Sequence, residues 1–393
     1  MKALERRAKN NVIRCKYVES HIAITNEKDP VVRPCCQYLF GDEDLPNALE
    51  ANTIEDIING EHRQKLLKKL TKNVKVTSCN SCWQQEENNI ISKRTSIADN
   101  VKLDAVGKLQ HIEIGLDYTC NMTCRMCNSF TSSSFNKLTT MNKKLDKLFP
   151  DDELYVPYQR QNYTKYILEL FERSDLSNLI WVKLTGGEPF YSKSIYRFIE
   201  LLIQKAPYNE LELEIITNGS IFPSEKLLSM LKQFKSVKIL LSIDAVGDLA
   251  QVCRPPTKWI TILDNFKKYK ESGLEIYVTS TITIMNVNKM HELVNWWRRR
   301  TPPKWRWNLM TSPCRYPQWL SPYNLSKEER LKWHTIDPNI NLHIHSDETV
   351  DRPPSWSQIL KAIDTTDEQF EKKFRNVNKE MYRIIKDKVK NNS

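Results

Sequence analysis

From residue 105 onward, short runs rich in Ile, Leu, Val or Trp alternate with amphipathic stretches, and this alternation constrains the fold more than any other feature of the chain. Six strands are predicted: Gln110 to Asp117, Ile180 to Thr185, Leu211 to Thr217, Val237 to Asp244, Glu275 to Ile282 and Trp305 to Met310. Helices are predicted between them over Thr164 to Arg173, Ser194 to Ala206, Ser224 to Phe234, Thr261 to Ser272 and Lys289 to Arg300, with Ser224 and Asn288 as helix caps. Such an alternation demands a parallel sheet, because each helix returns the chain to the edge where the next strand starts. Six units fall short of a closed eight-fold barrel and suit a partial (β/α)6 TIM-like barrel of the α/β class, which places its chemistry at the C-terminal ends of the strands. Cys120, Gly186, Asn218 and Asp244 all fall at or just past the ends of different predicted strands.

The flanks read differently. Upstream, His21 to Thr25 alternates like a strand, Asn26 to Pro30 has turn chemistry and Val31 to Arg33 resumes, so Cys35 and Cys36 sit at the exit of a hairpin. A helix around Ile54 to Leu70 follows. Beyond Pro313 the chain is rich in Pro, Trp and charge, with helical stretches near Lys327 to Trp333, Trp356 to Ile363 and Asp367 to Lys388. Three regions result: an N-terminal cysteine-rich module over 1–104, the barrel over 105–312 and a helical C-terminal extension over 313–393. The segment Asn128 to Asn178 is long for a connector and reads as a substrate lid or as helical decoration.

Composition narrows the classes. A chain of 393 residues with 40% hydrophobic content buries a large core and is not a disordered polypeptide. The net charge of +11 favours acidic partners, yet its basic residues are spread, as at Lys65, Lys68 and Lys69, like those of solvated faces. Met1 to Asn10 carries four basic residues with no apolar stretch after it, and no run approaches a membrane span, so a cytoplasmic location without membrane contact is expected. In a reducing compartment, ten cysteines are metal ligands or reagents rather than disulfides. Cys253 and Cys314 stand alone and read as small buried hydrophobes. Trp296, Trp297, Trp305 and Trp307 read as core and barrel wall.

Cys120-Asn-Met-Thr-Cys124-Arg-Met-Cys127 places three cysteines on a loop directly after a strand. Thiolates ligate iron–sulfur clusters, and a short loop wraps a cubane so that each cysteine meets a different iron, leaving one iron open. Zinc is the alternative, although it calls for a fourth protein ligand. The pattern resembles the CxxxCxxC motif that follows the first barrel strand in the radical S-adenosylmethionine (SAM) superfamily, with Met126 where an aromatic residue commonly precedes the last cysteine. The resemblance implies a 4Fe–4S cluster whose open iron is chelated by the amine and carboxylate of SAM.

The companion motifs follow the same resemblance. In Thr185-Gly186-Gly187-Glu188-Pro189-Phe190, glycines let backbone approach a ligand and Glu188 offers an anion for an ammonium group. The family's GGEP motif binds the SAM amino group, which carries that role to Gly186, Gly187 and Glu188. Polar groups at the next strand ends, in Thr217-Asn218-Gly219 and Ser242-Ile243-Asp244, suit ribose hydroxyls and the methionyl carboxylate. By resemblance Ser242 and Arg254 fall in the carboxylate and ribose region and Asn286 on the adenosine side, with plain strand-end capping the alternative for Asn218 and Asn286.

Cys15, the Cys35-Cys36 pair and Cys79-Asn-Ser-Cys82 supply five thiols where a second cluster needs four. Their order resembles the auxiliary-cluster modules called SPASM and Twitch, placed here at the N-terminus, with Pro30 near the place of the usual hairpin glycine. The expected ligands are Cys15, Cys35, Cys79 and Cys82, with Cys36 the alternative to Cys35; spacing leaves zinc on the same thiols open. The resemblance implies reductive cleavage of SAM to a 5′-deoxyadenosyl radical, a peptide or protein substrate, and a flavodoxin- or ferredoxin-type electron donor. Modification of RNA or of a small metabolite is the alternative, and a zinc-stabilised nucleic-acid-binding protein a different class, which leaves GGEP without a job.

Overall fold

The computed structural model describes residues 15–24, 30–38, 45–87, 91–96, 107–156, 163–333, 350 and 352–391. The basic segment Met1 to Asn10 and the hairpin turn before Pro30 lie outside them. Eight strands are present: β1 (His21–Ile24), β2 (Val32–Arg33), β3 (His111–Gly115), β4 (Trp181–Thr185), β5 (Glu212–Thr217), β6 (Ser236–Ser242), β7 (Glu275–Ile282) and β8 (Leu309–Pro313). They form one sheet in the order β2-β1-β3-β4-β5-β6-β7-β8, open between β2 and β8, and β3 to β8 each pair in parallel with the next. This is the partial barrel that the alternation demanded.

The hairpin is not a separate sheet. β1 runs parallel to β3, with His21 opposite His111 and Ile24 opposite Ile114, and β2 caps it antiparallel. All four β1 residues are buried. An unpaired β3 edge would leave a row of backbone groups without partners, and β1 supplies them.

Side-chain alternation sorts the sheet into two faces. Val182, Leu184, Leu213, Ile215, Ile276 and Val278 join the core cluster that also holds Ile195, Phe198 and Phe266 from the helices. On the opposite face Glu113, Lys183, Glu214, Lys238 and Glu275 lie side by side in register, a row of alternating charge. Lys183 pairs with Glu113 at 3.5 Å and Lys238 with Glu214 at 3.9 Å, the opposite-sign neighbours that favour cross-strand register.

Several predicted elements shift. The last strand is β8, not Trp305 to Met310: Pro303–Asn308 is a 3-10 run, entered through Pro302 and Pro303, whose missing N–H groups suit a helix start and not a strand. It leaves Trp307 at 68% exposure, outside the barrel wall. The strand predicted to reach Asp244 ends at Ser242. The helix around Ile54 to Leu70 is two helices, Ile54–Ile58 and Glu61–Thr71, parted at Gly60. Ser224 caps its helix as expected, accepting from Leu227 N, but Asn288 does not cap Met290–Arg300; its side-chain amide donates to Glu380 instead. Gly247–Cys253 is an additional helix, too short for its periodicity to register.

The described part of 128–178 contains the helices Ser133–Asn136, Thr139–Leu148 and Thr164–Arg173. The C-terminal helix Trp356–Gln369 packs on Thr139–Leu148, where Gln358 donates to Leu148 O at 2.9 Å. Among the described residues no helix is long and apolar enough to cross a membrane.

Candidate cluster and cofactor site

Cys120, Cys124 and Cys127 pack with Met122 and Met126 in one small cluster just past β3. A serine run moulds the loop. Ser133 Oγ accepts from Cys120 N at 3.0 Å, Ser134 Oγ donates to Cys120 O at 2.6 Å and Ser132 Oγ to Met122 O at 3.1 Å. From the far side, Thr123 N and Arg125 N donate to Pro255 O and Cys253 O at 2.7 and 3.0 Å. Burial pushes the Cys120 thiol up to about 11 and Cys124 to about 12, Arg254 pulling the latter down. Among the described residues no three Cys, His, Asp or Glu side chains are gathered tightly enough for a single metal ion, whereas a cubane spreads its thiolates over separate irons. The donor set, three thiols within one apolar cluster, fits a cluster with one iron left for another ligand.

The glycines approach protein rather than open space. Gly186 has φ +111°, and a Cβ there would lie 2.6 Å from Asp117 O. At Gly187 a Cβ would overlap Thr119 O and come within 2.6 Å of Tyr118 C. Gly187 N and Glu188 N donate to Asp117 O and Thr119 O at 3.0 and 2.8 Å, so the motif clamps the strand exit that carries Cys120. Gly187→Ala is therefore expected to displace residues 118–119 and cost about 1–3 kcal/mol as an overpacked contact does. A lower melting temperature together with reduced iron retention after reconstitution checks it.

Glu188 is buried. Its carboxylate accepts from Thr217 Oγ1 and Asn218 N, each at 2.7 Å, and from Phe190 N at 3.1 Å. Burial pushes its pKa from 4.5 up to about 7 against those hydrogen bonds and Arg254. The folded protein therefore binds a proton at Glu188 that the unfolded chain has released between pH 4.5 and 7, so stability falls as pH rises through that window, by up to roughly 3 kcal/mol. Denaturant unfolding at pH 5 and pH 8 should show this fall in the ligand-free protein and a flatter dependence in E188Q.

Asn218 bridges to the cysteine loop, its Nδ2 donating to Asn121 Oδ1 at 2.9 Å, while Asn121 donates to Ser220 Oγ at 2.9 Å. Sequence reasoning passed over Asn121 and the serine run, although both lie within or just after the cysteine motif. Arg254 follows the helix Gly247–Cys253 and forks onto Asp244, at 2.7 and 3.1 Å, leaving Nη1 3.7 Å from Cys124 Sγ. Burial opposes its charge, and the Asp244 carboxylate outweighs burial and raises its pKa. Asp244 Oδ1 also accepts from Thr281 N at 2.8 Å, and Asn286 spends both amide protons on Asp244 O and Thr281 O, bracing the ends of β6 and β7. Ser242 is buried at the end of β6. Every residue read from the sequence as a candidate SAM contact thus lies at or beyond the C-terminal end of the sheet.

A second group of thiols lies beside β1. Cys15, Cys35 and Cys79 pack around Val18, Tyr38 and Trp83, and Cys82 is buried next to Trp83 in the helix Asn80–Glu87. Cys36 turns away, its sulfur 2.8 Å from Lys93 Nζ, and Lys93 pairs with Glu113 at 2.9 Å. Cys253 and Cys314 are buried, as expected.

A parallel half-barrel carries the three thiols and the Gly-Gly-Glu clamp together at its C-terminal rim. Residues 117–296 match the model of the Radical SAM superfamily, which makes the chain similar to radical SAM proteins over that segment. It is 22% identical over 195 residues to the GTP 3′,8-cyclase of Campylobacter curvus (strain 525.92), a match covering 49% of this chain and 52% of that one. The chain thus spans about half the length of the curated relative it matches. Among solved structures, native anSMEcpe with bound AdoMet and Cp18Cys peptide aligns with 66% of this chain and 59% of that one, at 12% identity and a TM-score of 0.35. Streptococcus suis SuiB bound to S-adenosylmethionine aligns with 60% of this chain and 42% of that one, at 13% identity and a TM-score of 0.30.

Proposed function

We propose that the protein is a radical SAM enzyme acting on a peptide or protein substrate, with a SAM-binding 4Fe–4S cluster on Cys120, Cys124 and Cys127 and an auxiliary cluster on Cys15, Cys35, Cys79 and Cys82. When bound, the first cluster and SAM supply reductive cleavage to methionine and a 5′-deoxyadenosyl radical, which abstracts hydrogen from the substrate. The observation that carries the reading is the hydrogen-bonded clamp of Gly187 and Glu188 on the strand exit leading to Cys120, which puts an acidic group within electrostatic reach of the Cys120 thiol. In this reading Glu188 receives the SAM ammonium. Arg254, locked onto Asp244, supplies positive charge at Cys124 and the carboxylate region together with Ser242. Asn218 holds the loop and Asn286 braces the adenosine side. The order of the N-terminal cysteines supports a peptide or protein substrate, and Cys36, engaged with Lys93, leaves Cys35 as the fourth ligand. A flavodoxin- or ferredoxin-type protein is the proposed electron donor.

A second reading, a nucleotide or other small polar metabolite, is favoured by the charged row on β3 to β7 and by the nucleotide named in the matching cyclase. The test is anaerobic reconstitution followed by iron and sulfide counting and dithionite-driven SAM cleavage to 5′-deoxyadenosine. About eight irons with cleavage supports two cubanes at four irons each. Zinc without cleavage overturns the enzymatic reading.

A further inference from the structure

Arg63, on the helix Glu61–Thr71, has no exposed surface. Its Nη1 donates to Val18 O at 3.0 Å and its Nη2 to Arg33 O at 3.3 Å, while Nε is buried without a partner. Those two carbonyls lie three residues after Cys15 and two before Cys35, so one guanidinium ties together the two segments that carry these thiols. Among the described residues it forms no ion pair with a carboxylate; the ionisable groups that act on it are Cys35, Cys15 and Tyr38. The other guanidinium felt by Cys15, Arg94, is already paired with Glu86.

A buried guanidinium without an anion is strongly disfavoured, and removing the partner of a buried charge is among the most destabilising of changes. Three neutral neighbours do not offset that cost. Four thiolates around a 4Fe–4S core of charge 2+ carry a net 2−, and one-electron reduction makes it 3−. A cation fixed beside it in a low-dielectric setting favours the more negative state.

We infer that Arg63 is the counter-cation and positioning residue of the N-terminal cluster: it holds the Cys15 and Cys35 segments in register and raises the reduction potential of the group they bind. The inference rests on the reading of Cys15, Cys35, Cys79 and Cys82 as cluster ligands. It gives the buried arginine an anion that the described residues do not provide.

The experiment uses the full chain carrying C120A, C124A and C127A, so that only the N-terminal site reports, reconstituted anaerobically and titrated potentiometrically by electron paramagnetic resonance. With Arg63 intact about four irons are expected. R63M should either lose the cluster or lower its midpoint by about 60 mV, a tenfold change in a one-electron equilibrium. R63K, which keeps the charge, should hold the cluster near the parent potential, and R63Q repeats the neutral arm if R63M fails to fold. Full iron at unchanged potential in R63M or R63Q overturns the inference. So does equal loss of iron from R63K and R63M, which would assign Arg63 to packing. A parent protein that binds no iron overturns the cluster reading itself, before Arg63 is tested.

Discussion

Cys124→Ala is expected to abolish reductive cleavage of SAM, taking 5′-deoxyadenosine formation to background, and to lower reconstituted iron by about four per chain while the N-terminal cluster remains. The effect is large because, in the proposed cluster, each of the three thiols meets its own iron. Cys253 is buried nearby at the end of the helix Gly247–Cys253, where burial disfavours its thiolate. The fold should survive, since Cys124 contributes only a small apolar contact to a loop held by Ser132, Ser134 and the 253–255 segment. A circular dichroism spectrum like that of wild type, with no cleavage, is the expected pair of results. Full activity in the variant would sink the assignment of the first cluster.

The second large effect is expected far along the chain from the cysteine motif. Arg125, between Cys124 and Cys127, is fully buried and spends its guanidinium on the C-terminal extension: Nη1 donates to Thr366 Oγ1 and Nη2 to Asp367 Oδ1, both at 2.7 Å, while Nε reaches Val252 O at 2.9 Å. Asp367 is equally buried and also accepts from Phe374 N and Arg375 N at 2.8 and 3.2 Å. The helix Trp356–Gln369 is therefore a lock on the cluster loop. Asp367→Ala strands a guanidinium in the interior and should cost about 3–5 kcal/mol, with iron lost from the SAM cluster and retained at the N-terminal site. R125M combined with D367A removes both charges and should recover part of that loss, because an apolar pair avoids the penalty of an unpaired one. Unfolding midpoints and iron counts for the single and double variants measure the coupling. Unchanged iron and stability in D367A would show that the tail does not support the loop.

Much of this was legible in the chain. Alternation of period 2 with period 3.6 is a local signal, and it placed β3 to β7 within a few residues and settled the partial barrel. The spacing in Cys120, Cys124 and Cys127 and the run Gly186-Gly187-Glu188 are also local, because a loop after a strand carries its ligands in consecutive residues. Buried Cys253 and Cys314 and the helix cap at Ser224 followed from residue type and neighbours alone.

What the tertiary structure decided depended on contacts between distant residues. The purpose of Gly187 is the approach of the backbone at 118–119, some 70 positions away by subtraction of the residue numbers. That β1 pairs with β3 and that Arg125 meets Asp367 across 242 positions leave no periodic trace in the sequence. Charge reads in sequence as solvent, so Arg63 and Arg125 gave no sign of burial; only the folded chain brings the carbonyls, the carboxylate and the thiols that surround them within reach. Residue order determined the elements and the ligand-bearing loops, and packing decided which buried charges hold those loops in place.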